Sequence, residues 1–242
     1  MSADPTRGQV RISLVMSALT VSAGAVDAVT FLGLGHAFAA LATGNVLLLG
    51  FGAVGTAGVP VARPAEAVAA FVVGAAAANT AIARARGRGR RWFVRVLVAE
   101  AAVLAAAGGY ATAVGGTGAL PGSSEALVAA LVAGAMGWRS RGMLEAGVPD
   151  MPTTVAQITL VKLLADLLSI HAAPSPHQVL VRARRSATVL GMFAGGAAGA
   201  LLLRLGAGPA LLAVAAFEAC VTAVYARTVQ LRPPERPQPA PA

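Results

Sequence analysis

The sequence predicts an all-α integral membrane protein with six transmembrane helices and two re-entrant or broken segments. The chain has 242 residues, of which 57% are hydrophobic and only 12% are charged, whereas soluble globular domains carry about 25% charged residues. Apolar runs recur from residue 12 to residue 226, and basic residues cluster between them. We therefore expect one membrane domain over residues 12–228, after a short N-terminus (residues 1–11), and no separate soluble domain.

Eight apolar runs divide the chain, and about 20 helical residues are needed to cross the hydrocarbon core of a bilayer. The run 37–58 is interrupted by Thr43-Gly44-Asn45, and the run 153–170 contains Lys162 and Asp166. These two are the weakest spans, and the sequence leaves open whether they cross fully. The first run is too long for the apolar part of a signal peptide and is predicted to be an uncleaved span. The runs occupy roughly residues 12–34, 37–58, 67–83, 92–114, 126–138, 153–170, 187–203 and 208–226.

The positions of the basic residues predict the topology, because Lys and Arg collect in cytoplasmic loops. If the runs 37–58 and 153–170 each enter and leave by the same face, all of the 19 basic residues except Arg63 and Arg204 lie on one side. Both termini are then cytoplasmic in a bacterial cell membrane, and the Pro-rich tail (residues 229–242) is expected to be disordered. The predicted inner side holds Arg84–Arg91, Arg139 with Arg141, Arg182–Arg185 and both termini.

The two halves of the chain, about 12–114 and 125–226, resemble each other. Ala23-Gly24-Ala25 matches Ala133-Gly134-Ala135, and the residues around Glu100 match those around Glu218. Under the predicted topology the halves start on opposite sides of the membrane. This pattern indicates a 3+3 inverted repeat, an arrangement found in many secondary transporters.

Ionisable residues within the apolar runs are candidate functional residues, because a charge in hydrocarbon is costly and normally faces the bundle interior or a cavity. Asp27 is either a proton or cation site, or a structural partner of a Thr or Asn on a neighbouring helix. For Glu100 and Glu218 a polar clamp between helices is favoured over transport chemistry. Asn79 is expected to form a hydrogen bond between helices.

Thr43-Gly44-Asn45 is predicted to end one half-helix and begin the next, with a Thr or Asn side-chain oxygen bonding the free N–H groups of the second. Such a break attracts an anion to the helix start and a cation to the freed carbonyl groups. The alternative is a tight structural turn. Thr154 and Gln157 lie in the matching region of the second half, and an inverted repeat is expected to bring the two tips together around a central cavity.

Glycines at a spacing of four residues predict a second kind of contact. Gly191, Gly195 and Gly199 lie within one apolar run, and small residues at this spacing are typical of helix faces that approach a neighbour closely.

A resemblance to a known family supports the membrane assignment. Residues 24–35 (GAVDAVTFLGLG), continued by Thr43-Gly44-Asn45 and Leu47-Leu48-Leu49-Gly50, resemble the signature of the YoaK-like family of small bacterial multi-pass membrane proteins. The second half is similar to it through Ala135-Met136-Gly137 and the region 148–155. The resemblance covers essentially the whole chain and implies a membrane fold and a membrane location. Members of the family are sometimes labelled small permeases, but their function is not established, so the resemblance specifies no chemistry.

Two positions depart from the family pattern. Trp138-Arg139-Ser140 stands where the family tends to have Gln-Asn, and Ala156-Gln157 stands where the family usually repeats Thr-Gly. The second half-site is therefore altered, and a substrate shared with the family does not follow from the resemblance.

Two classes of function stay open. The first is a permease or secondary transporter for a small solute, coupled to protons through Asp27 and the glutamates, and the second is a non-transporting membrane scaffold or assembly protein. No enzyme, cofactor or metal site is expected, since no nucleophile–base pair or metal cluster is visible. The net charge of +9 is explained by topology and anionic lipid rather than by nucleic acid, and a homo-oligomer stays open. A polar cavity reaching Asp27 and Asn45 would favour the transporter, and a dry bundle would favour the scaffold.

Overall fold

A computed structural model describes residues 5–56, 58, 61–85, 91–116, 118–146, 161, 162, 164 and 176–227. The chain is all-α, with seven helices and one 3-10 turn (Leu203–Leu205) in these residues. Thr154, Gln157 and most of the run 153–170 lie outside the described residues, as does the tail 229–242. The helices are α1 (Pro5–Gly33), α2 (Ala42–Ala53), α3 (Ala62–Ala85), α4 (Trp92–Gly115), α5 (Gly122–Ala146), α6 (Pro176–Leu202) and α7 (Ala207–Ala226).

Five helices are long and apolar enough to cross a membrane, namely α1, α3, α4, α6 and α7, with mean hydropathies of 1.6 to 1.8 over the apolar stretches. The chain is therefore a multi-span membrane protein. Helix α5 has 25 residues, which is also sufficient length, but Glu125, Arg139, Arg141 and Glu145 lower its hydropathy.

Helix α2 is too short to cross a bilayer. Its 12 residues span about 18 Å at 1.5 Å per residue, against a hydrocarbon core of about 30 Å. The chain turns sharply between α1 and α2, where Gly35 (φ 89°) and His36 (φ 61°) adopt the left-handed conformation. The apolar run 37–58 is thus not one continuous helix.

Three pairs of helices approach closely through glycines. On α6, a Cβ at Gly195 would overlap the carbonyl oxygen of Val21 on α1, and a Cβ at Gly199 would overlap that of Ala25. This confirms the close approach predicted from the glycine spacing. In the same way Gly74 of α3 meets Gly134 of α5.

Helices α4 and α7 form the third close pair and cross in opposite directions. Gly208 of α7 packs against Thr112 of α4, while Gly108, one turn earlier on α4, packs against Leu212, one turn later on α7. Helix α5 is likewise antiparallel to α4, because Tyr110 contacts Ser124 near the start of α5 and Val96 accepts a hydrogen bond from Trp138 near its end.

The helices of the other two close pairs run parallel. Helices α1 and α6 run in the same direction, because successive glycines of α6 lie beside successive residues of α1. These are Gly191, Gly195 and Gly199 beside Ser17, Val21 and Ala25, respectively. The same holds for α3 and α5, where Arg63 bonds to Gly122 at one end and Arg141 bonds to Asn79 towards the other. The six long helices therefore alternate in direction along the chain.

The bundle has two ends that differ in their described arginines. One end of the bundle, which we call the Arg63 face, is where α1 and α6 end and where α3, α5 and α7 begin. It also holds Arg204. The opposite end, which we call the Arg184 face, holds a larger group of the described arginines. Among them are Arg84, Arg91, Arg182, Arg184, Arg185 and Arg227.

Two hydrophobic clusters fill the interior. The larger one reaches from the middle of the bundle towards the Arg63 face and includes Val26, Leu104 and Leu211. The smaller one lies nearer the Arg184 face and includes Leu19 and the edge-to-face pair Phe93 and Tyr225, with ring centroids 5.4 Å apart.

Candidate functional site

One arginine and two glutamates meet in the interior of the bundle. Nη1 of Arg139 on α5 lies 3.0 Å from Oε1 of Glu100 on α4 and 2.9 Å from Oε1 of Glu218 on α7. The three side chains are at most 2% exposed. We call this group the Arg139 cluster.

The cluster lies at the boundary between the two hydrophobic clusters on every helix that contributes to it. On α4, Glu100 stands between Leu97 of the smaller cluster and Leu104 of the larger one. On α7, Glu218 stands between Val214 and Tyr225 in the same way. Because apolar side chains close the cluster on both sides, its charges lack the solvation that water would give and must be neutralised locally.

The two glutamates are held differently. Arg139 Nη1 donates hydrogen bonds to Glu218 Oε1 (2.9 Å) and to Ser22 Oγ on α1 (2.8 Å), and Nη2 contacts Met136 Sδ at 3.2 Å. Glu100 is close to the same nitrogen, yet neither of its carboxyl oxygens has a hydrogen-bond partner among the described residues. Oε2 of Glu218 also lacks one there. Arg139 thus bonds Glu218 and forms an ion pair with Glu100 that lacks hydrogen-bond geometry.

The number of charges in the cluster determines its chemistry. With both glutamates ionised, one guanidinium faces two carboxylates and a negative charge remains in the bundle interior. Such an excess charge costs several kcal/mol in a low-dielectric environment. One proton on either glutamate removes it and supplies a donor for the oxygens that lack one. The arrangement can therefore bind and release one proton.

Asp27 holds the segment that precedes α2. Its Oδ1 accepts hydrogen bonds from the backbone N–H groups of Ala40 (2.6 Å) and Leu41 (3.3 Å). Its Oδ2 is buried without a partner in the described part of the chain. Because Asp27 lies six residues before the end of α1, the chain after α1 returns about 9 Å into the bundle before α2 begins.

Asn45 holds the same segment from the other side. Its Oδ1 accepts from the N–H of Phe38 (2.8 Å), and its Nδ2 donates to the carbonyl oxygen of Phe38 (2.6 Å). Thr43 is exposed, and a Cβ at Gly44 would lie 2.9 Å from the ring of Phe38. The prediction that Thr43 or Asn45 caps the following helix is wrong. Leu41 is the N-cap, without a side-chain cap bond, and its N–H is bonded by Asp27.

The structure brings the predicted site residues together in two groups. Glu100 and Glu218 meet in the Arg139 cluster, which provides the interhelical contact expected of a polar clamp. Asp27 and Asn45 meet on the segment 38–41, with Gly44 beside it. The predicted approach of Thr43-Gly44-Asn45 to Thr154 and Gln157 stays a prediction, because the latter two lie outside the described residues.

Arg139 is the central residue that the sequence analysis misplaced. We expected it with Arg141 on the inner side of the membrane, beyond the apolar run 126–138. For Arg139 this is wrong, because α5 continues to Ala146 and Arg139 is 2% exposed inside the bundle. The available signal was the helical spacing, since Met136, Arg139 and Gly142 fall on one buried face of α5. Arg95, the nearest arginine to Glu100 in sequence, is exposed.

Two large grooves lie on the described part of the chain, and both are lined almost wholly by apolar side chains. One lies between α4 and α7 and has a volume of about 590 Å³, and the other lies between α3, α4 and α5 and has a volume of about 410 Å³. Neither is lined by Asp27 or Asn45. Glu100 lines the second groove.

Comparison with known proteins identifies a family. No curated protein and no solved structure matches the chain. Residues 15–224, which include the whole Arg139 cluster, match the family described as "Protein of unknown function (DUF1275)". Since this match covers most of the chain, the protein belongs to the DUF1275 family.

Proposed function

We propose that the protein is a proton-coupled secondary transporter for a small solute in the bacterial cell membrane, with the Arg139 cluster as its proton site. One observation carries the proposal, namely that two buried carboxyl groups share a single guanidinium nitrogen. A structural ion pair needs one carboxylate for each arginine. The second carboxyl group adds a charge that only a proton or a bound cation neutralises, and intramembrane groups of this kind are typical of proton pathways.

The pairing of helices supports an inverted repeat. If the halves of the chain are exchanged, α1 corresponds to α5, α3 to α6 and α4 to α7. Under this correspondence the parallel pair α1–α6 of the structure is equivalent to the parallel pair α5–α3. The antiparallel pair α4–α7 is equivalent to itself, because each helix corresponds to the other. Glu100 and Glu218 then occupy corresponding positions on α4 and α7. Transporters built from inverted repeats place their sites where the repeats meet.

The topology that we propose has six spans, with α5 as the additional one and the Arg184 face in the cytoplasm. Helix α5 fits because it packs along α3 and α4 over its length. The segment between α1 and α3 fits a re-entrant hairpin, because it leaves α1 at the Arg63 face, reaches the depth of Asp27, and returns through α2 to Val61 beside Gly52. The likeness to YoaK-like small permeases agrees with this arrangement.

A scaffold is the second candidate function, and a specific observation favours it. Asp27 and Asn45 bond to the backbone of the segment 38–41 instead of to each other across a cavity. The glycine contacts between helices leave little free space at three interfaces. In a scaffold the Arg139 cluster would fix the helices in place without exchanging its proton.

Transport by reconstituted protein tests the proposal. We would place the protein in liposomes that enclose a pH-sensitive dye and screen small solutes for uptake that changes the internal pH. Wild type and the Glu66→Gln variant, whose exposed carboxylate pairs with Arg63, should give the same signal, and Glu100→Gln should give none. A solute-driven pH change that persists in Glu100→Gln would exclude Glu100 as the coupling residue. If no solute changes the internal pH with the wild-type protein, the scaffold is favoured.

A further inference from the structure

We infer that the groove between α3, α4 and α5 binds lipophilic cations that enter it from the bilayer and exchange with the proton of Glu100. This inference rests on the proposed proton site and names the class of solute that the site would take. It follows from three features of the groove, which are its exposure, its lining and the charge of the residue at its base.

The groove opens on the outer surface of the bundle. Val73, Leu127 and Leu131 line it, and these residues are 68%, 47% and 37% exposed. In a membrane protein such a surface faces hydrocarbon, so a solute reaches the groove through the bilayer and must itself be largely apolar. Its volume of about 410 Å³ falls within the range of about 300–1,000 Å³ that is usual for ligand sites.

Glu100 is the charged residue among the described residues that line this groove, and its side chain is 0% exposed, so it lies behind the apolar surface of the groove. Helix α3 contributes only apolar residues to the described lining. The charged groups that face Glu100 are Arg139 from α5 and Glu218 from α7. The hydrogen bonds of Arg139 to Glu218 and Ser22 do not involve Glu100, so a rotation of Glu100 towards the groove need not break them. Glu100 is therefore available to a second cation.

Neutrality then determines the exchange. In the empty groove Arg139 is balanced by Glu218, and Glu100 is neutral because it holds a proton. When a cation binds, the O–H bond of Glu100 breaks, the proton passes to water, and the carboxylate balances the bound cation. A bound anion would instead leave an uncompensated negative charge beside Glu218, whether Glu100 is protonated or ionised. The site therefore distinguishes the sign of the solute charge.

Trp138 adds a second attraction for a cation. Its side chain lines the groove, and its Nε1 donates a hydrogen bond to the carbonyl oxygen of Val96 (3.1 Å), which fixes the ring. The face of an indole ring attracts cations, and more strongly when both are desolvated.

The groove between α4 and α7 provides an internal control. It is larger and equally apolar, but no charged side chain is among the described residues that line it. A solute that binds by hydrophobicity alone should enter both grooves, whereas a cation that needs a counter-charge should prefer the groove at Glu100.

The experiment uses full-length protein in phosphatidylcholine nanodiscs with two probes of the same shape and opposite charge, tetraphenylphosphonium and tetraphenylborate. We expect tetraphenylphosphonium to bind and to release one proton for each cation bound, as measured with a pH dye in weak buffer. Glu100→Gln should weaken this binding by at least about tenfold and abolish the proton release, whereas Glu66→Gln should change neither. Tetraphenylborate should bind weakly to all three proteins.

A second pair of variants leaves the Arg139 cluster intact. Ala77→Leu reduces the volume of the groove at Glu100, and Ala102→Leu reduces that of the groove between α4 and α7. Both alanines are exposed, so both variants should fold. Only Ala77→Leu should weaken the binding of tetraphenylphosphonium.

The results separate this inference from the proposed transport function. Equal binding of the two probes, or binding that neither Glu100→Gln nor Ala77→Leu changes, would overturn the cation site and leave the groove as a lipid contact. Proton-coupled uptake of another solute without binding of tetraphenylphosphonium would also overturn it while transport stands. Proton release on binding of the cation without any uptake would support the site and contradict transport.

Discussion

Glu100 and Glu218 approach the same nitrogen of Arg139 from two antiparallel helices, and only Glu218 accepts a hydrogen bond from it. The two acids are therefore alike in burial and unlike in bonding. The sequences of the two halves are asymmetric in the same way. When Ala23-Gly24-Ala25 is aligned with Ala133-Gly134-Ala135, Val29 of the first half corresponds to Arg139 of the second, so only the second half supplies an arginine at this position. One arginine thus serves an acid from each half of the chain.

Replacing Arg139 by Gln should destabilise the protein in a pH-dependent way. At acidic pH both glutamates are protonated and the variant should be close to wild type. As the pH rises, the unfolded chain ionises both glutamates, whereas the folded variant must either keep them protonated or bury carboxylates without a partner, so the loss should grow to about 3–5 kcal/mol. Thermal unfolding in detergent across a pH series measures this.

Arg141→Gln is the matched control for that change. Arg141 lies two residues further along α5 and pairs with Glu145 at 2.6 Å, with 20% of its side chain exposed. An i, i+4 pair at a helix surface contributes about 0–1 kcal/mol. A similar loss for both variants, or a loss in Arg139→Gln that does not depend on pH, would contradict the assigned charges.

The two glutamates should show strong non-additivity. Glu100→Gln and Glu218→Gln each leave one carboxylate for Arg139, so each single variant should remain folded, with a loss below about 2 kcal/mol. The double variant leaves the guanidinium buried and unpaired, and should lose about 3–5 kcal/mol. A double-mutant cycle of unfolding free energies measures the coupling, and losses that simply add would show that the acids do not share Arg139.

Adjacent glycines on α6 should respond oppositely to alanine. A Cβ at Gly195 would overlap the carbonyl oxygen of Val21, so Gly195→Ala should cost about 1–3 kcal/mol. A Cβ at Gly196 meets nothing within 4 Å, and Gly196→Ala should be neutral or stabilise the helix by up to about 1 kcal/mol. Unfolding midpoints of the two variants compare them directly, and equal losses would contradict the close pairing of α1 and α6.

Asp27 should tolerate an amide better than a methyl group. Asp27→Asn keeps one oxygen to accept from Ala40 and Leu41, whereas Asp27→Ala leaves both N–H groups unbonded and should cost about 1–3 kcal/mol for each buried donor. Hydrogen exchange of the segment 38–41 reports the loss. If Asp27→Asn keeps normal stability but removes the pH dependence of transport, Asp27 is also a proton site.

Much of the fold follows from the sequence, because membrane helices are determined by length and hydropathy. The run 37–58 is not one helix, as predicted, but the predicted position of the break at Thr43-Gly44-Asn45 is wrong, because α2 runs through these residues from Ala42 and the irregular segment precedes it. The spacing of Gly191, Gly195 and Gly199 predicted a close helix pair. Both signals are local, and each depends on residues within a single run.

The centre of the candidate site could not be predicted, because it depends on contacts between four helices. The apolar run ends at Trp138, which predicts Arg139 on the inner side of the membrane, but the helix continues and places Arg139 inside the bundle. The partners of Asp27 and Asn45 are backbone groups of an irregular segment. Sequence patterns of side chains contain no signal for such partners.

The protonated state of the Arg139 cluster is the central claim, and infrared difference spectroscopy tests it most directly. A buried carboxylic acid gives a C=O stretching band that carboxylates lack. We expect wild type in lipid to show one such band at neutral pH, lost on going to alkaline pH and absent in Glu100→Gln, while Glu66→Gln retains it. Absence of the band in wild type at neutral pH, or its persistence in Glu100→Gln, would show that Glu100 does not hold the proton.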